Sequence, residues 1–131
     1  MKASKILILE GDTTLSMLLG TRLGDQGYII KTHRTGRKAL KELKRQWVDL
    51  LIVSINLQGE MDGFGFLKEI KKDKELSKIP ILVSSSKPGM KGMFEELGID
   101  GFFEKPFSVD VFQKKVEKVL TKKRQLNIDK I

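Results

Sequence analysis

The amino-acid sequence predicts an α/β fold in which a doubly wound, five-stranded parallel sheet lies between two layers of helices. Three observations predict it. Five strand-like stretches alternate with five helical patterns, and the connections between them are short. The strands are continuous apolar runs, such as Leu50–Val53, which is typical of strands covered on both faces. Right-handed crossovers are the expected connections between such strands.

The first half of the chain supplies two strand–helix units. The run Lys5–Leu9 predicts a buried strand, and Asp12 with the threonines after it predicts a helix start. Apolar residues on one face of this first helix recur at Leu15, Leu18, Leu19 and Leu23. The stretch Tyr28–Thr32 predicts the second strand. A second helix is expected over 36–46, and its predicted inner side consists of Leu40, Leu43 and Trp47.

The middle of the chain repeats this pattern. Leu50–Ser54 is the third predicted strand, and polar residues with turn propensity follow it. The third helix is expected to start near Gly63. Pro80–Ser84 predicts the fourth strand, because the residue before a proline avoids helical geometry. A short helix over 89–97 follows, with a stripe that suits either core contact or an adaptable binding face: Met90, Met93, Phe94 and Leu97.

Gly101–Glu104 predicts the fifth strand, and Ser108 is expected to cap the last helix. Apolar residues of that helix repeat with helical spacing at Phe112, Val116, Val119 and Leu120. We therefore expect one domain over residues 1–121. The remainder, 122–131, is interpreted as a basic tail or a linker.

Composition limits the possible functions. The chain has 131 residues, no cysteine and a net charge of +8, which excludes disulfides and thiolate metal sites. No apolar run is long enough to span a membrane, so we expect a cytoplasmic protein with no membrane partner. The positive charge favours acidic partners such as nucleic acid. We expect solvated lysine faces instead, because the pattern places the aromatic residues on the inner arcs of the helices rather than among the charges.

Short motifs at the predicted strand ends identify a family resemblance. They are Glu10-Gly11-Asp12, Val48-Asp49-Leu50, Met61-Asp62-Gly63-Phe64, Ile79-Pro80 and Lys105-Pro106-Phe107. Their joint order and spacing, from about Lys5 to Leu120, resemble the response-regulator receiver domain of two-component signalling. The resemblance implies the flavodoxin-like strand order 2-1-3-4-5. It also implies a signalling module rather than an enzyme.

The resemblance implies a phospho-acceptor site, and this sequence matches only part of it. Receivers use two acids after strand one to hold Mg²⁺, and an aspartate after strand three to accept the phosphoryl group. A hydroxyl, an aromatic residue and a lysine complete the site, and here the matches are Ser85, Phe102 and Lys105. Glu10 replaces the first acid. The sequence departs from the family at Gly11 and Ser54, where acids are expected, and at Gln58, where proline is usual in a loop that is one residue longer.

These departures predict a pseudo-receiver that keeps the fold and has lost phosphotransfer. A serine hydroxyl is a weak nucleophile unless a neighbouring base takes its proton, and Mg²⁺ needs carboxylate ligands that are missing here. We expect no cofactor, or weak Mg²⁺ binding at most through Glu10 and Asp12. The favoured roles are different: Glu10 pairs with Lys105, and Asp12 caps the first helix.

Several alternatives stay open. Ser54 and Ser85 either form a hydrogen-bonded switch or fill the space of the missing acid. Phe102 is a packing residue or a signalling rotamer.

We favour a protein-interaction module that docks a signalling partner, or a second copy of itself, through helix four, strand five and helix five. The alternatives are a conventional receiver in which Asp12 or Asp62 accepts the phosphoryl group, a flavin or phosphate binder, and a basic nucleic-acid binder.

Overall fold

A computed structural model describes residues 2–129 of the chain. Five strands and five helices alternate, with one short 3₁₀ turn at Leu76–Lys78. The strands are β1 (Lys5–Leu9), β2 (Ile29–His33), β3 (Leu50–Ser54), β4 (Ile81–Ser85) and β5 (Gly101–Glu104). The helices are α1 (Thr13–Asp25), α2 (Gly36–Arg45), α3 (Gly63–Lys72), α4 (Lys91–Glu96) and α5 (Val109–Asp129).

All five strands are parallel, in the order β2-β1-β3-β4-β5, which confirms the predicted flavodoxin-like fold. The central strands β3 and β4 are buried along their whole length, as their continuous apolar runs indicate. Alternate side chains enter two cores. One core lies under α2, α3 and α4 around Phe66 and Phe94, and the other lies under α1 and α5 around Leu23 and Phe112.

Two side chains predicted to face the core are exposed instead. Leu18 is 46% exposed although it shares a helical arc with Leu19 and Leu23, because α1 needs only a narrow apolar stripe to cover the sheet. Trp47 is 43% exposed. It lies after α2 has ended at Arg45, so helical periodicity no longer sets its direction.

Residues 122–129, which belong to the expected tail or linker, are part of helix α5. Helix α5 continues through the predicted boundary at residue 121 to Asp129, and residues 130 and 131 lie outside the described part. The division at 121 stays a prediction, and residues 122–129 are helical. None of the helices within residues 2–129 combines the length and apolarity that crossing a bilayer requires.

The core prediction concerns Phe94, which is fully buried between Phe64 and Phe102. We expect Phe94→Ala to lower the free energy of unfolding by about 3–5 kcal/mol, because it removes buried apolar surface and leaves a cavity. The matched control is Met93→Ala on the same helix, since Met93 is 38% exposed. Urea denaturation measures both variants, and equal losses would contradict this description of the core.

Candidate functional site

The carboxyl edge of the sheet carries the polar groups of the site. Glu10 follows β1, Ser54 ends β3, Ser85 ends β4 and Lys105 follows β5. The parallel register pairs Ser54 with Ser84, so these strand ends lie side by side. Glu10, Ser54 and Ser85 are all buried. This is the place where open α/β sheets bind ligands.

The Lys105 ammonium group is the centre of this cluster. Its Nζ donates to Glu10 Oε1 at 2.8 Å and to Ser54 Oγ at 2.9 Å. The side chain of Lys105 is 15% exposed and that of Glu10 only 3%. The second oxygen of Glu10 accepts from the backbone N–H of Asp12 at 2.9 Å. Both carboxylate oxygens are therefore in use, and the predicted pairing of Glu10 with Lys105 is confirmed.

Ser54 and Ser85 are held separately. The hydroxyl oxygen of Ser54 also accepts from the backbone N–H of Asn56 at 3.1 Å. That of Ser85 accepts from the backbone N–H of Lys87 at 3.0 Å and lies 3.4 Å from the Lys87 carbonyl oxygen. Within residues 2–129 no hydrogen bond joins the two serines. Ser54 interacts with Lys105 instead.

The loop between β3 and α3 packs directly on the backbone of Gly11. The Gly11 N–H donates to the Asn56 carbonyl at 3.0 Å, and Gln58 Nε2 donates to the Gly11 carbonyl at 3.0 Å. Gln58 N–H also donates to the Arg34 carbonyl at 3.0 Å. A Cβ on Gly11 would lie only 2.5 Å from the Asn56 carbonyl oxygen. The glycine therefore permits this loop position, and a second acid at Gly11 would displace the loop.

Sequence reasoning noted Gly11 and Gln58 as departures from the family but did not connect them. The sequence contained a signal for this contact: Gly11 has no side chain, and the loop after β3 that faces it is one residue longer than is usual in the family. Asn56 was missed, although its backbone contacts Gly11 and its side chain accepts from Ser86 Oγ at 3.0 Å. Neither the loop path nor these contacts follow from strand and helix patterns.

The two aspartates considered as substitute acids both cap helices. Asp12 Oδ1 accepts from the Leu15 N–H at 3.1 Å at the start of α1, as predicted. Asp62 Oδ1 accepts from the Gly65 N–H at 2.8 Å at the start of α3. Such a cap stabilises a helix by about 1 kcal/mol and needs no ligand to explain it.

Phe102 packs against α4. Its ring centroid lies 5.9 Å from that of Phe94, and the Phe94 ring contacts Phe64 edge-on at 5.6 Å. On the other face of β5, Phe103 lies 4.8 Å from Phe112. Aromatic contacts thus hold α4 and α5 to opposite faces of the same strand.

Comparison with known proteins matches this arrangement to one family. The model of the response regulator receiver domain matches residues 6–117. A probable transcriptional regulator, ycf27 of Guillardia theta, is 30% identical over 118 residues, which are 88% of this chain and 45% of that protein. Chemotaxis protein CheY-3 of Vibrio cholerae is 29% identical over 121 residues, 90% of this chain and 92% of that protein. The chain spans about half the length of the ycf27 relatives that it matches.

Solved structures of chemotaxis proteins and response regulators have the same fold as this chain. The chemotaxis protein CheY4 of Vibrio cholerae superposes with a TM-score of 0.81 at 26% identity, covering 90% of this chain and 99% of that one. A putative response regulator from Chloroflexus aurantiacus superposes with a TM-score of 0.84 at 25% identity, covering 92% and 99%. Both similarities extend over nearly the whole chain.

The buried ion pair generates a stability prediction. We expect Lys105→Met to lower the free energy of unfolding by about 3–5 kcal/mol, because it leaves the Glu10 carboxylate buried without its cation. The double variant Glu10→Gln with Lys105→Met should recover part of that loss in a double-mutant cycle. Urea denaturation provides the values.

The control is Lys72→Met, since the pair of Lys72 with Glu69 is exposed at the surface of α3. An exposed pair contributes little, so this variant should keep its stability. Similar losses for Lys105→Met and Lys72→Met, or additive losses in the cycle, would rule out a special role for the buried pair.

The contact between Gly11 and the loop generates a second prediction. We expect Gly11→Ala to destabilise the protein by about 1–3 kcal/mol, because its Cβ would overlap the Asn56 carbonyl. Faster amide exchange at residue 11 should accompany the loss. The control is Gly92→Ala on α4, where a Cβ meets open space and helix propensity should stabilise by about 0.5–1 kcal/mol. If both variants behave alike, the loop does not close on Gly11.

Proposed function

The chain belongs to the response regulator receiver domain family, and from that premise we propose that it signals without phosphorylation, as a pseudo-receiver that docks a partner protein. It is a receiver domain of two-component signalling, with the CheY-like fold. The single observation that carries the proposal is the Lys105 ammonium group, bound at once to Glu10 and Ser54.

The position of Ser54 supports the loss of phosphotransfer. The Ser54 hydroxyl oxygen accepts hydrogen bonds from the Lys105 ammonium and from the Asn56 N–H. Donors draw electron density from the oxygen, whereas an active serine nucleophile needs a base to take its proton. A phosphoserine would also be an ester, chemically unlike the acyl phosphate that a receiver aspartate forms. The site residues therefore favour a static hydrogen-bonded cluster.

The same residues are poor ligands for Mg²⁺, the ion that the family uses. Glu10 already satisfies Lys105 and the Asp12 N–H, Gly11 offers no side chain, and the Asn56 carbonyl accepts from Gly11. Mg²⁺ prefers near-octahedral oxygen ligands with one or two carboxylates. We therefore propose that the cleft binds Mg²⁺ weakly at most, and no chemical step in the proposal uses the ion.

The face formed by α4, β5 and α5 is the proposed docking surface. Phe94 and Phe102 fix α4 to one side of β5, while Phe103 and Phe112 fix α5 to the other. Side chains on α4 and α5 remain available, since Met93 is 38% exposed and Val111 is 57% exposed. A rigid face with exposed apolar side chains can be recognised by shape, without a phosphorylation-driven change. The proposed partner is a signalling protein, or a second copy of this chain.

The proposal is tested by an NMR titration with Mg²⁺ and beryllofluoride, a mimic of the phosphoryl group. We expect no specific shifts at Ser54, Gly11 or Lys105, because Lys105 and the Asp12 N–H already use both Glu10 oxygens and because no carboxylate is present at positions 11 and 54. A receiver with aspartate at the position of Ser54, titrated in parallel, is the positive control. The variant Gly11→Asp with Ser54→Asp should regain metal binding, together with a shifted loop at Asn56.

Saturable shifts around Ser54 in the unmodified protein at low millimolar Mg²⁺ would overturn the proposal. A Mg²⁺-dependent mass gain of one phosphate from acetyl phosphate would do the same, and would favour a conventional receiver that uses another acid. Asp12→Asn and Asp62→Asn would then identify which carboxylate accepts the phosphoryl group.

A further inference from the structure

The amino edge of the sheet, opposite the cleft, carries a lysine-rich groove. It lies where β4 and β5 begin, beside Pro80 and Asp100, and has a volume of about 620 Å³. Six lysines line it: Lys71, Lys78, Lys115, Lys118, Lys122 and Lys123. Asp100 is the acidic residue of its wall, and that carboxylate accepts from the Ile81 N–H at 2.8 Å. The groove therefore presents ammonium groups in large excess over carboxylates.

A second groove continues along the same edge, where β1, β2 and β3 begin. Its volume is about 480 Å³, and it shares Lys123 with the first groove. Lys2, Lys5 and Arg124 add to its charge, and Asp49 is its acidic residue. Because the strand order places β1 and β3 next to β4 and β5, the two grooves follow one edge of the sheet from end to end. We call them together the basic edge.

The basic edge holds almost all of the protein's excess charge. Its walls carry nine lysine and arginine residues and two aspartates in the described part of the chain, a net of seven positive charges. The whole chain has a net charge of +8. The remaining sequence is thus nearly neutral. Lysines spread evenly over the surface for solubility alone would not produce this asymmetry.

Several of these lysines are available to a ligand. Lys118 and Lys122 are exposed, and within residues 2–129 neither forms an ion pair. Lys78 pairs with Glu75 at 3.6 Å, but both side chains are largely exposed, so an anion can compete for the ammonium group. Adjacent ammonium groups repel one another, and a bound polyanion would relieve that repulsion.

Trp47, the chain's one tryptophan, lines the second groove among these charges. It is 43% exposed, and Lys123 Nζ, which also pairs with Asp49 at 3.5 Å, lies over its ring at 5.4 Å from the centroid. The sequence interpretation disfavoured nucleic acid because it placed the aromatic residues inside, and for Trp47 that placement was wrong. A basic groove beside an exposed aromatic ring is the combination that holds single-stranded nucleic acid.

We propose that the basic edge binds single-stranded nucleic acid without sequence preference. The phosphates lie along Lys118, Lys122 and their neighbours, and a base stacks on Trp47. Lysines suit this role because an ammonium is a point charge that accepts many phosphate geometries. Glu10, Ser54 and Lys105 take no part, so this proposal is independent of the proposed signalling function.

Trp47 fluorescence and the anisotropy of a labelled oligothymidylate of about 16 nucleotides test the proposal. We expect quenching on binding, and an affinity that falls with salt by a logarithmic slope of about 0.7 for each phosphate contacted. Lys118→Glu with Lys122→Glu should raise Kd at least tenfold, as an order-of-magnitude estimate, and reduce that slope by about one to two. Trp47→Leu, followed by anisotropy, should weaken binding about tenfold.

The matched control is Arg37→Glu with Lys38→Glu, which changes the net charge equally at the first turn of α2, near the opposite edge of the sheet. It should leave Kd within about a factor of two, because screening isolates distant charges. Equal weakening by both double variants would mean that net charge alone acts, and would overturn the proposal. So would polyglutamate binding as tightly as the oligonucleotide with no effect of Trp47→Leu, which would indicate an acidic protein partner. If the oligonucleotide does not bind at low salt, the proposal for the basic edge is also excluded. That result would leave the outcome of the Mg²⁺ titration, and with it the proposed signalling function, unaffected.

Discussion

The contact of one ammonium group with a buried carboxylate and a buried hydroxyl determines what the cleft can do. Lys105 Nζ donates to both Glu10 and Ser54, the residues at two positions where the family pattern has acids. A buried cation and a buried carboxylate are tolerable only as a pair, since removing either one leaves the other without compensation. The cluster is neutral and its Glu10 oxygens are satisfied. This is the physical basis of our proposal that the cleft takes up neither a phosphoryl group nor a metal ion.

The loop between β3 and α3 completes this closed arrangement. Because Gly11, in the loop after β1, has no side chain, the Asn56 carbonyl approaches closely enough to accept the Gly11 N–H, and the Gln58 side chain donates to the Gly11 carbonyl. Two departures from the family pattern, a lost acid and a longer loop, thus act together. The fold needs neither of the family's missing carboxylates, because β1 and β3 are held by apolar packing and by their sheet register.

The fold was predictable because strand and helix patterns are local. The apolar runs of β3 and β4, the caps at Asp12 and Ser108 and the glycines between elements all act over a few residues. The Glu10–Lys105 pair was also predictable, since parallel strand ends meet at one edge. The partners of Ser54, the loop path at Asn56 and the exposure of Trp47 were not. Each depends on where a loop runs between elements, which periodicity does not specify. The wrong prediction that Trp47 is buried had the largest consequence, because the sequence interpretation then contained no indication of an aromatic side chain at a basic groove.

At the carboxyl edge of the sheet Glu10 and Lys105 compensate each other's charge, whereas basic residues predominate along the amino edge. A crystal structure of the protein grown with Mg²⁺ and beryllofluoride decides whether Glu10, Ser54 and Lys105 bind these ions. We predict Lys105 Nζ within hydrogen-bonding distance of both Glu10 and Ser54, with the Gly11 N–H still bound to Asn56. A metal ion beside Glu10, or beryllofluoride at Ser54 with Lys105 turned toward it, would overturn the proposal that this site accepts no phosphoryl group.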